Sequence, residues 1–199
     1  IDRDGRQTTR RVIDLNAEIE TTRQGLVNRS FDDAVAETDA VIEATVTEEL
    51  IADRPVSVFL SGGVDSSVIA AIMAQHQPDA VQSYAAGFED PALDESGHAA
   101  AVAKALGLRH VTVPITAQGA LEVLETIGEA FDEPLSDMAS VPTLMLAKRA
   151  RQDVAVVLTG DGGDEVFAGY ERYERLLRAE ASARRVPRLA RRAGASVLN

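Results

Sequence analysis

Four short apolar runs divide the chain, and each has the length of a β-strand. They are VSVFL (56–60), VQSYAAGF (81–88), HVTV (110–113) and VAVVLT (154–159). Apolar runs of this length, without strict polar alternation, are typical of strands that are covered on both faces, as in a parallel sheet. The pattern therefore predicts four buried strands.

Segments with helical periodicity lie between these runs, over residues 65–76, 94–106, 118–130 and 140–152. In the first of them, the predicted apolar side consists of Val68, Ile69, Ile72 and Met73. Gly107 is placed to cap the C-terminus of the second. Because strands and helices alternate, the pattern predicts an α/β fold with three layers (α/β/α), a mainly parallel sheet and right-handed crossovers.

The flanking segments differ from this core. An amphipathic helix is predicted over residues 32–52, and Asp53-Arg54-Pro55 ends it. Its predicted apolar side consists of Val35, Val41, Ile42, Val46, Leu50 and Ile51. Residues 1–31 are polar with little periodicity, and we expect a connector from a preceding domain. Arginine is frequent near the other end, at positions 172, 175, 178, 184, 185, 188, 191 and 192. We interpret this segment as a solvated helix face, with a surface for another part of the protein as the alternative.

Composition narrows the class of partner. The chain has 32 acidic and 20 basic residues, a net charge of −12, and its only lysines are Lys104 and Lys148. This balance argues against binding to nucleic acid or to an anionic membrane. We interpret the acid excess as halophilic adaptation, with codon bias as the alternative. The sequence lacks cysteine, which excludes disulfides, and lacks an apolar run of membrane-spanning length, so we expect a cytoplasmic location.

The first candidate site is the turn Ser61-Gly62-Gly63-Val64-Asp65-Ser66-Ser67, which follows the first predicted strand. Its two glycines would let the backbone approach a ligand closely. The serine hydroxyls and the free N–H groups of the next helix suit a phosphate. The turn has neither the lysine of a Walker motif nor the spacing of a dinucleotide loop. The carboxylate of Asp65 would by itself repel a phosphate.

The second candidate site is Thr159-Gly160-Asp161-Gly162-Gly163-Asp164-Glu165, which follows the last predicted strand. Carboxyl ends of parallel strands meet at one edge of a sheet, so we expect the two turns to face each other. Asp65 and Asp164 would then share a magnesium ion, with polyphosphate oxygens completing its shell. The cation would convert repulsion into attraction. Taken alone, either turn could be an ordinary surface turn.

These motifs resemble those of a known family. SGGVDSS resembles the SGGxDSS pyrophosphate loop of the N-type ATP pyrophosphatases, the PP-loop superfamily with the adenine nucleotide alpha hydrolase-like fold. FDEPLSDMASVPTLMLAKRA (131–150) and VVLTGDGGDEVFAGYERY (156–173) resemble the C-terminal synthetase domain of glutamine-hydrolysing asparagine synthetases. The resemblance covers about residues 32–180. It identifies residues 32–199 as an ATP-pyrophosphatase (synthetase) domain, which we expect to be truncated at its C-terminus.

The resemblance implies an amide-forming ligase. ATP would activate a carboxylate, expected to be aspartate, as an acyl-adenylate, and ammonia from glutamine would give asparagine, AMP and pyrophosphate. The residues implied to hold pyrophosphate are Ser61, Gly62, Gly63, Asp65, Ser66 and Ser67, with Asp65 and Asp164 as Mg²⁺ ligands. Those implied to line the adenosine pocket are Phe59, Leu60, Ala86, Gly87, Thr159 and Gly160. Asp161 stands where the family often has a glutamate that handles protons during ammonia attack, although its shorter side chain also suits a turn.

Further residues follow from the same resemblance. Glu89, Asp94 and Glu95 would lie near the nucleotide, and we expect Asp137, just after Asp132-Glu133-Pro134, near the acceptor pocket. His98 and His110 are expected to be structural.

The chain also departs from the family. It lacks the glutaminase cysteine, so we expect a glutaminase domain as a missing partner, and neither lysine matches the family's catalytic lysine. We therefore expect this fragment alone to be inactive. The alternatives are a ligase of the same fold with another acceptor (a sugar acid, peptide or lactam) and a non-catalytic nucleotide-binding module. A homodimer is also open.

Overall fold

The computed structural model describes residues 5–7, 9, 12–25, 29–78, 80–133 and 136–184. The chain divides into two compact units, residues 1–44 and residues 45–199. The elements of the described part are α1 (Leu15–Gly25), α2 (Phe31–Glu49), β1 (Val56–Phe59), α3 (Val64–His76), β2 (Gln82–Phe88), α4 (Ser96–Ala105), β3 (Arg109–Ile115), α5 (Ala117–Ala130), α6 (Ser140–Ala150), β4 (Val156–Leu158), α7 (Gly163–Phe167) and α8 (Glu171–Arg184).

The first unit contains α1 and most of α2. Helix α1 lies within the segment predicted as a connector. The helix was not predicted, because the periodicity of this segment is weak. The domain boundary at residue 31 stays a prediction. Ser30 begins α2, because its hydroxyl oxygen accepts the N–H of Asp33 and its hydroxyl donates to the Asp33 carboxylate at 2.6 Å. Val35 and Val41 are exposed, so the predicted apolar side was wrong at these positions.

The second unit is built on one sheet of four parallel strands in the order β3-β2-β1-β4. This confirms the predicted α/β class and the four strands. Strand β3 is longer than the predicted run, and β4 is shorter. The chain moves outward from β1 to β2 to β3 and then returns past them to β4. Right-handed crossovers therefore place α3 and α4 on one face and α5 and α6 on the other.

The two faces bury different residues. Toward α6 lies a cluster of Tyr84, Val113, Ala150 and Val154. On the other face, α3 buries Ala70 and Met73, and α4 buries Ala99 and Ala103. In α3, Ile72 is also buried, but Val68 is 37% exposed, so its inclusion in the apolar side was wrong. Val46 and Leu50, which follow the boundary between the units, are buried as predicted, whereas Ile51 is 84% exposed.

The ends of two helices show how local sequence sets the fold. Helix α4 ends in a Schellman motif: Leu108 N–H donates to Ala103 and Gly107 N–H to Lys104, with Gly107 at φ +70°. This confirms Gly107 as the cap. Helix α5 begins at Thr116, whose hydroxyl accepts the N–H of Gly119 at 3.1 Å.

The last described elements lie beyond β4. The short helix α7 was not predicted, because its first three residues belong to the glycine-rich turn. Helix α8 carries exposed i,i+4 ion pairs between Arg175 and Glu171 and between Arg178 and Glu174. The exposure of Arg175 and Arg178 agrees with a solvated face, and arginines 185, 188, 191 and 192 lie outside the described residues. None of the helices in the described part is long and apolar enough to cross a membrane.

Candidate functional site

A cavity of about 360 Å³ opens at the carboxyl edge of the sheet. The ends of three neighbouring strands form it, since Phe59 ends β1, Phe88 ends β2 and Thr159 follows β4. This is the edge at which open parallel sheets bind ligands. The predicted residues in its wall are Phe59, Leu60, Ser61, Gly63, Asp65, Ser66, Ala86, Thr159, Gly160, Asp161 and Asp164.

Serine hydroxyls shape the first turn. Ser61 Oγ lies 3.0 Å from Ser66 Oγ and accepts the N–H of Gly63 at 3.2 Å. Ser66 Oγ also accepts the N–H of Ser61 at 3.2 Å. Helix α3 begins at Val64 after Gly63, with no side-chain cap on its first N–H groups. The turn is therefore held from inside, and the amino end of a 13-residue helix lies at the cavity.

The two glycine-rich turns are in contact. A Cβ at Gly160 would lie 2.8 Å from the backbone nitrogen of Ser66, and a Cβ at Gly163 would lie 2.5 Å from Cγ of Asp65. Real Cβ atoms do not approach other atoms so closely, so only glycine lets the turns pack at this separation. The expectation that the two turns face each other is confirmed.

Three carboxylates from these turns reach the cavity. Asp65 lies in the first turn of α3, a position that favours negative charge. Asp161 Oδ2 accepts the hydroxyl of Thr159 at 2.9 Å. Asp164 is the second residue of α7, and its carboxylate lies so close to Gly169 that a Cβ there would overlap it. Within the described ranges, no group of three or more metal-binding side chains is found.

Three predicted residues do not line the cavity. Gly62 faces α4, where a Cβ would lie 2.7 Å from the backbone nitrogen of Ala99, and its φ of +84° also favours glycine. Ser67 Oγ donates to the Gly63 carbonyl at 2.6 Å. Gly87 packs on the opposite face of the sheet, where a Cβ would lie 2.7 Å from Thr112 Cγ2. The first two shape the turn, and Gly87 allows β2 and β3 to pack.

The acids after β2 differ in position. Glu95 lines the cavity. Asp94 instead accepts the N–H groups of Phe88 and Ser96, and these hydrogen bonds, chiefly to Ser96, lower the pKa of its carboxyl. Glu89 is exposed and is not in the cavity wall.

The other predicted residues do not line the cavity. The Asp137 carboxylate accepts the N–H of Ala139, and its backbone carbonyl accepts the hydroxyl of Ser140, so Asp137 holds the turn before α6; it does not line the cavity. Asp132 and Glu133 do not line it either, and Pro134 is outside the described residues. His110 Nδ1 lies 2.9 Å from Ser83 Oγ, and burial lowers its pKa. This contact agrees with a structural histidine.

Sequence reasoning missed part of the wall: Tyr84, Ala85, Phe88, Leu93, Thr143 and Leu146. Thr143 and Leu146 are three positions apart on α6, and they belong to the segment 131–150 that carried the family resemblance. Helical spacing within that segment could have found them. Tyr84 lies inside a strand, and no sequence motif marks it.

Tyr84 is fully buried, and the carboxylate of Asp153 holds its hydroxyl in place. Its hydroxyl donates to Asp153 Oδ2 at 2.8 Å, and the same oxygen accepts Arg149 at 2.5 Å and Gln82 at 3.2 Å. Burial first, and then the hydrogen bond to Asp153, raise the pKa of Tyr84 to about 12. Arg149 in turn lowers the pKa of Asp153. A neutral tyrosine held by a carboxylate thus forms part of the cavity wall.

The asparagine synthase family model matches residues 37–199. The chain belongs to the asparagine synthase family. Putative glutamine-hydrolysing asparagine synthetases of Mycobacterium bovis and Mycobacterium tuberculosis are 41% identical over 137 residues, which is 69% of this chain and 21% of each of those proteins. Glutamine-hydrolysing asparagine synthetase 1 of Bacillus subtilis is 36% identical over 147 residues, 74% of this chain and 23% of that protein. The resemblance seen in the sequence is confirmed.

The chain spans about a fifth of the length of these relatives. Its fold is similar to that of a glutamine-dependent NAD⁺ synthetase from Acinetobacter baumannii, with a TM-score of 0.50 and 20% identity over 68% of this chain and 27% of that one. This likeness supports the adenine nucleotide alpha hydrolase-like fold.

Proposed function

We propose that residues 32–199 form the ATP-binding synthetase domain of an amide-forming ligase. It would adenylate a carboxylate, aspartate in the first instance, for attack by ammonia derived from glutamine, with release of AMP and pyrophosphate. Family membership supports the ligase class. The observation that carries the proposal is the contact between the two glycine-rich turns, which brings SGGVDSS and TGDGGDE into one cavity.

The first turn suits the pyrophosphate part of ATP. Its N–H groups, the Ser61 and Ser66 hydroxyls and the amino end of α3 converge at the carboxyl edge of the sheet. Backbone N–H groups at a helix start bind phosphate without a lysine. Phe59, Ala86 and Leu146 provide apolar wall beside it for the adenosine. This chain would thereby bind and orient the nucleotide.

The carboxylates fit a magnesium ion. Mg²⁺ is commonly held by one or two carboxylates, with water and substrate phosphates as its other ligands. Asp65 and Asp164 line the same cavity. Two carboxylate ligands suit Mg²⁺ better than a cation whose coordination shell is supplied entirely by the protein. The ion would neutralise phosphate charge.

Asp161 and Glu95 would face the acceptor side of the reaction. Both carboxylates line the cavity, and Thr159 holds Asp161 by a hydrogen bond that orients its other oxygen. We propose Asp161 as the group that accepts a proton from attacking ammonia. The glutaminase domain that would supply ammonia and the catalytic lysine would belong to other parts of the protein.

Calorimetric titration of this chain with ATP, with and without magnesium, tests the nucleotide site. We expect binding that requires magnesium and that weakens roughly tenfold or more in Asp65→Asn, since a charge-assisted contact is lost. Asp39→Asn is the matched control, because Asp39 is an exposed carboxylate of α2. Equal affinities for the two variants would defeat the assignment of Asp65.

The reaction is tested with the complete gene product, by following AMP release with candidate acids. Aspartate-dependent AMP release that is lost in Asp161→Asn supports the proposal. AMP release with another acid and not with aspartate would keep the ligase and change its acceptor. ATP binding without AMP release for any acid would favour the non-catalytic module.

A further inference from the structure

A second cavity lies at the opposite, amino edge of the same sheet. Its volume is about 400 Å³, and residues at or before the strand starts line it, including Pro55 before β1 and Arg109 at the start of β3. The remaining wall residues are Ser57, Ala80, Gln82, Arg149, Asp153 and Val154. It shares no lining residue with the candidate ATP site.

The strand registers place three polar residues of this cavity in one row. Gln82 pairs with Arg109, and Ser57, one residue before the Val58–Ser83 pair, stands beside Gln82. Side chains in register on neighbouring parallel strands point to the same face. On this face the next row, toward the carboxyl edge, holds Phe59, Tyr84 and Val111, which is apolar apart from the Tyr84 hydroxyl. The polar row is therefore a local exception beneath the end of α6.

One member of the row lacks a partner. Ser57 is 1% exposed, and within the described residues its hydroxyl has no hydrogen-bond partner. A buried hydroxyl without a hydrogen bond is unfavourable, so such groups are usually satisfied by a ligand or by water. Ser57 lines the cavity, which makes the cavity the place from which a partner could reach it.

The charge of this cavity is opposite to that of the chain. Two guanidinium groups, Arg109 and Arg149, line it against the single carboxylate of Asp153, although the chain carries a net charge of −12. One nitrogen of Arg109, Nη2, donates to the Ala80 carbonyl at 3.0 Å, and Arg149 Nη1 donates to Asp153. These contacts orient both guanidinium planes, and guanidinium has five N–H donors.

We propose that the amino-edge cavity is a second ligand site, which binds the oxyanion group of a small phosphorylated or carboxylated molecule. Arg109 and Arg149 would donate to the anion, and the Ser57 hydroxyl would donate its unmatched hydrogen. Guanidinium pairs recognise both phosphate and carboxylate oxygens. The volume leaves room for a small molecule larger than the oxyanion itself.

The test titrates this chain with inorganic phosphate and, separately, with malonate, against potassium chloride at matched ionic strength. The readout is the NMR signals of the Arg109 and Arg149 Nε–H groups, which report this cavity and not the phosphate-binding turn. We expect saturable shifts of both signals with at least one probe. A response to phosphate alone, to malonate alone or to both would show which oxyanion the site binds. The proposal would be overturned if neither probe produced a saturable shift larger than that seen with potassium chloride.

Two variants control the assignment. Arg109→Gln should weaken binding roughly tenfold or more, as read from the Arg149 signal, whereas Arg151→Gln removes an exposed arginine outside the cavity and should leave it unchanged. Ser57→Ala should weaken ligand binding. It should also raise the melting temperature of the free protein, because a buried hydroxyl without a hydrogen-bond partner is removed. Equal binding by the Arg109 and Arg151 variants, or unchanged binding in Ser57→Ala, would contradict the proposal.

Discussion

The hydroxyl of Tyr84 donates a 2.8 Å hydrogen bond to Asp153, and this contact joins the wall of the candidate ATP site to the opposite edge of the sheet. Tyr84 lines the first cavity, and Asp153 lines the second. Arg149 supports the pair from α6, with its guanidinium carbon 5.7 Å from the centre of the tyrosine ring. One side chain thus connects two regions that the sequence presents as separate.

Removing the hydroxyl in Tyr84→Phe should lower the free energy of unfolding by about 1 kcal/mol, the usual contribution of one hydrogen bond. Asp153→Asn should destabilise more, because Arg149 also loses its ion pair. Urea unfolding of both variants and of the double variant measures the coupling, and the double variant should lose less than the sum. Strictly additive losses would show that the contact contributes nothing.

The pH dependence of stability should carry the signature of Tyr84. Its pKa in the folded protein is raised from the ordinary value of 10.0 to about 12 by burial and by Asp153. The unfolded chain therefore releases this proton first, so the stabilisation is complete below pH 10 and is lost as the pH rises toward 12. The free energy of unfolding, measured from pH 8 to 11, should fall more steeply with pH for the wild type than for Tyr84→Phe. Tyr170, whose pKa Glu165 also raises to about 12, is present in both proteins. Parallel curves would contradict this prediction.

Gly160→Ala should disrupt the contact between the two turns. The new Cβ would lie 2.8 Å from the Ser66 nitrogen and 3.1 Å from its Cα, which are backbone atoms that cannot rotate away. We expect a loss of about 1–3 kcal/mol in unfolding free energy, as for other overpacked sites, together with weaker ATP binding. Gly128→Ala is the control: a Cβ there meets nothing within 4 Å in α5, and alanine should stabilise that helix by about 0.5–1 kcal/mol. Equal behaviour of the two variants would disprove the close packing.

Stability should rise with potassium chloride. Helix α2 carries seven acidic side chains (Asp32, Asp33, Glu37, Asp39, Glu43, Glu48 and Glu49) and no basic one within its 19 residues. Glu48 and Glu49 also lie at its C-terminal end, where negative charge is unfavourable. Salt screens this repulsion, so unfolding free energy should increase between roughly 0.1 and 1 M salt. The variant Glu48→Lys/Glu49→Lys should be less salt-dependent. Undiminished stability at low salt would refute halophilic adaptation.

The sequence predicted most of the sheet and both turns, for physical reasons. Buried parallel strands need continuous apolar runs, and glycine at close contacts cannot be replaced, so residues 56–60 and Gly160 carry strong local signals. The strand ends were predicted less accurately, because they depend on the pairing partners. Leu60 lies one residue beyond β1, and β4 spans only Val156–Leu158.

The remainder depends on tertiary contacts that local patterns do not record. Val68 has the helical spacing of a buried residue but is partly exposed, whereas Ser66, which is polar, is buried by its contacts with the turn. Asp137, expected near the acceptor pocket, does not line the cavity, and its carboxylate holds the turn before α6. The role of Tyr84 depends on Asp153, 69 residues away, and no short motif contains that pairing.

The pairing of β1 with β4 has a kinetic consequence. Val56 pairs with Val156 across one hundred residues, whereas β1 and β2 are joined by a single helix. Loop closure over longer separations slows folding, so β3, β2 and β1 should assemble first and β4 last. The turn that carries Asp161 and Asp164 arrives with β4. Until that late step, the first glycine-rich turn would be formed without its acidic counterpart.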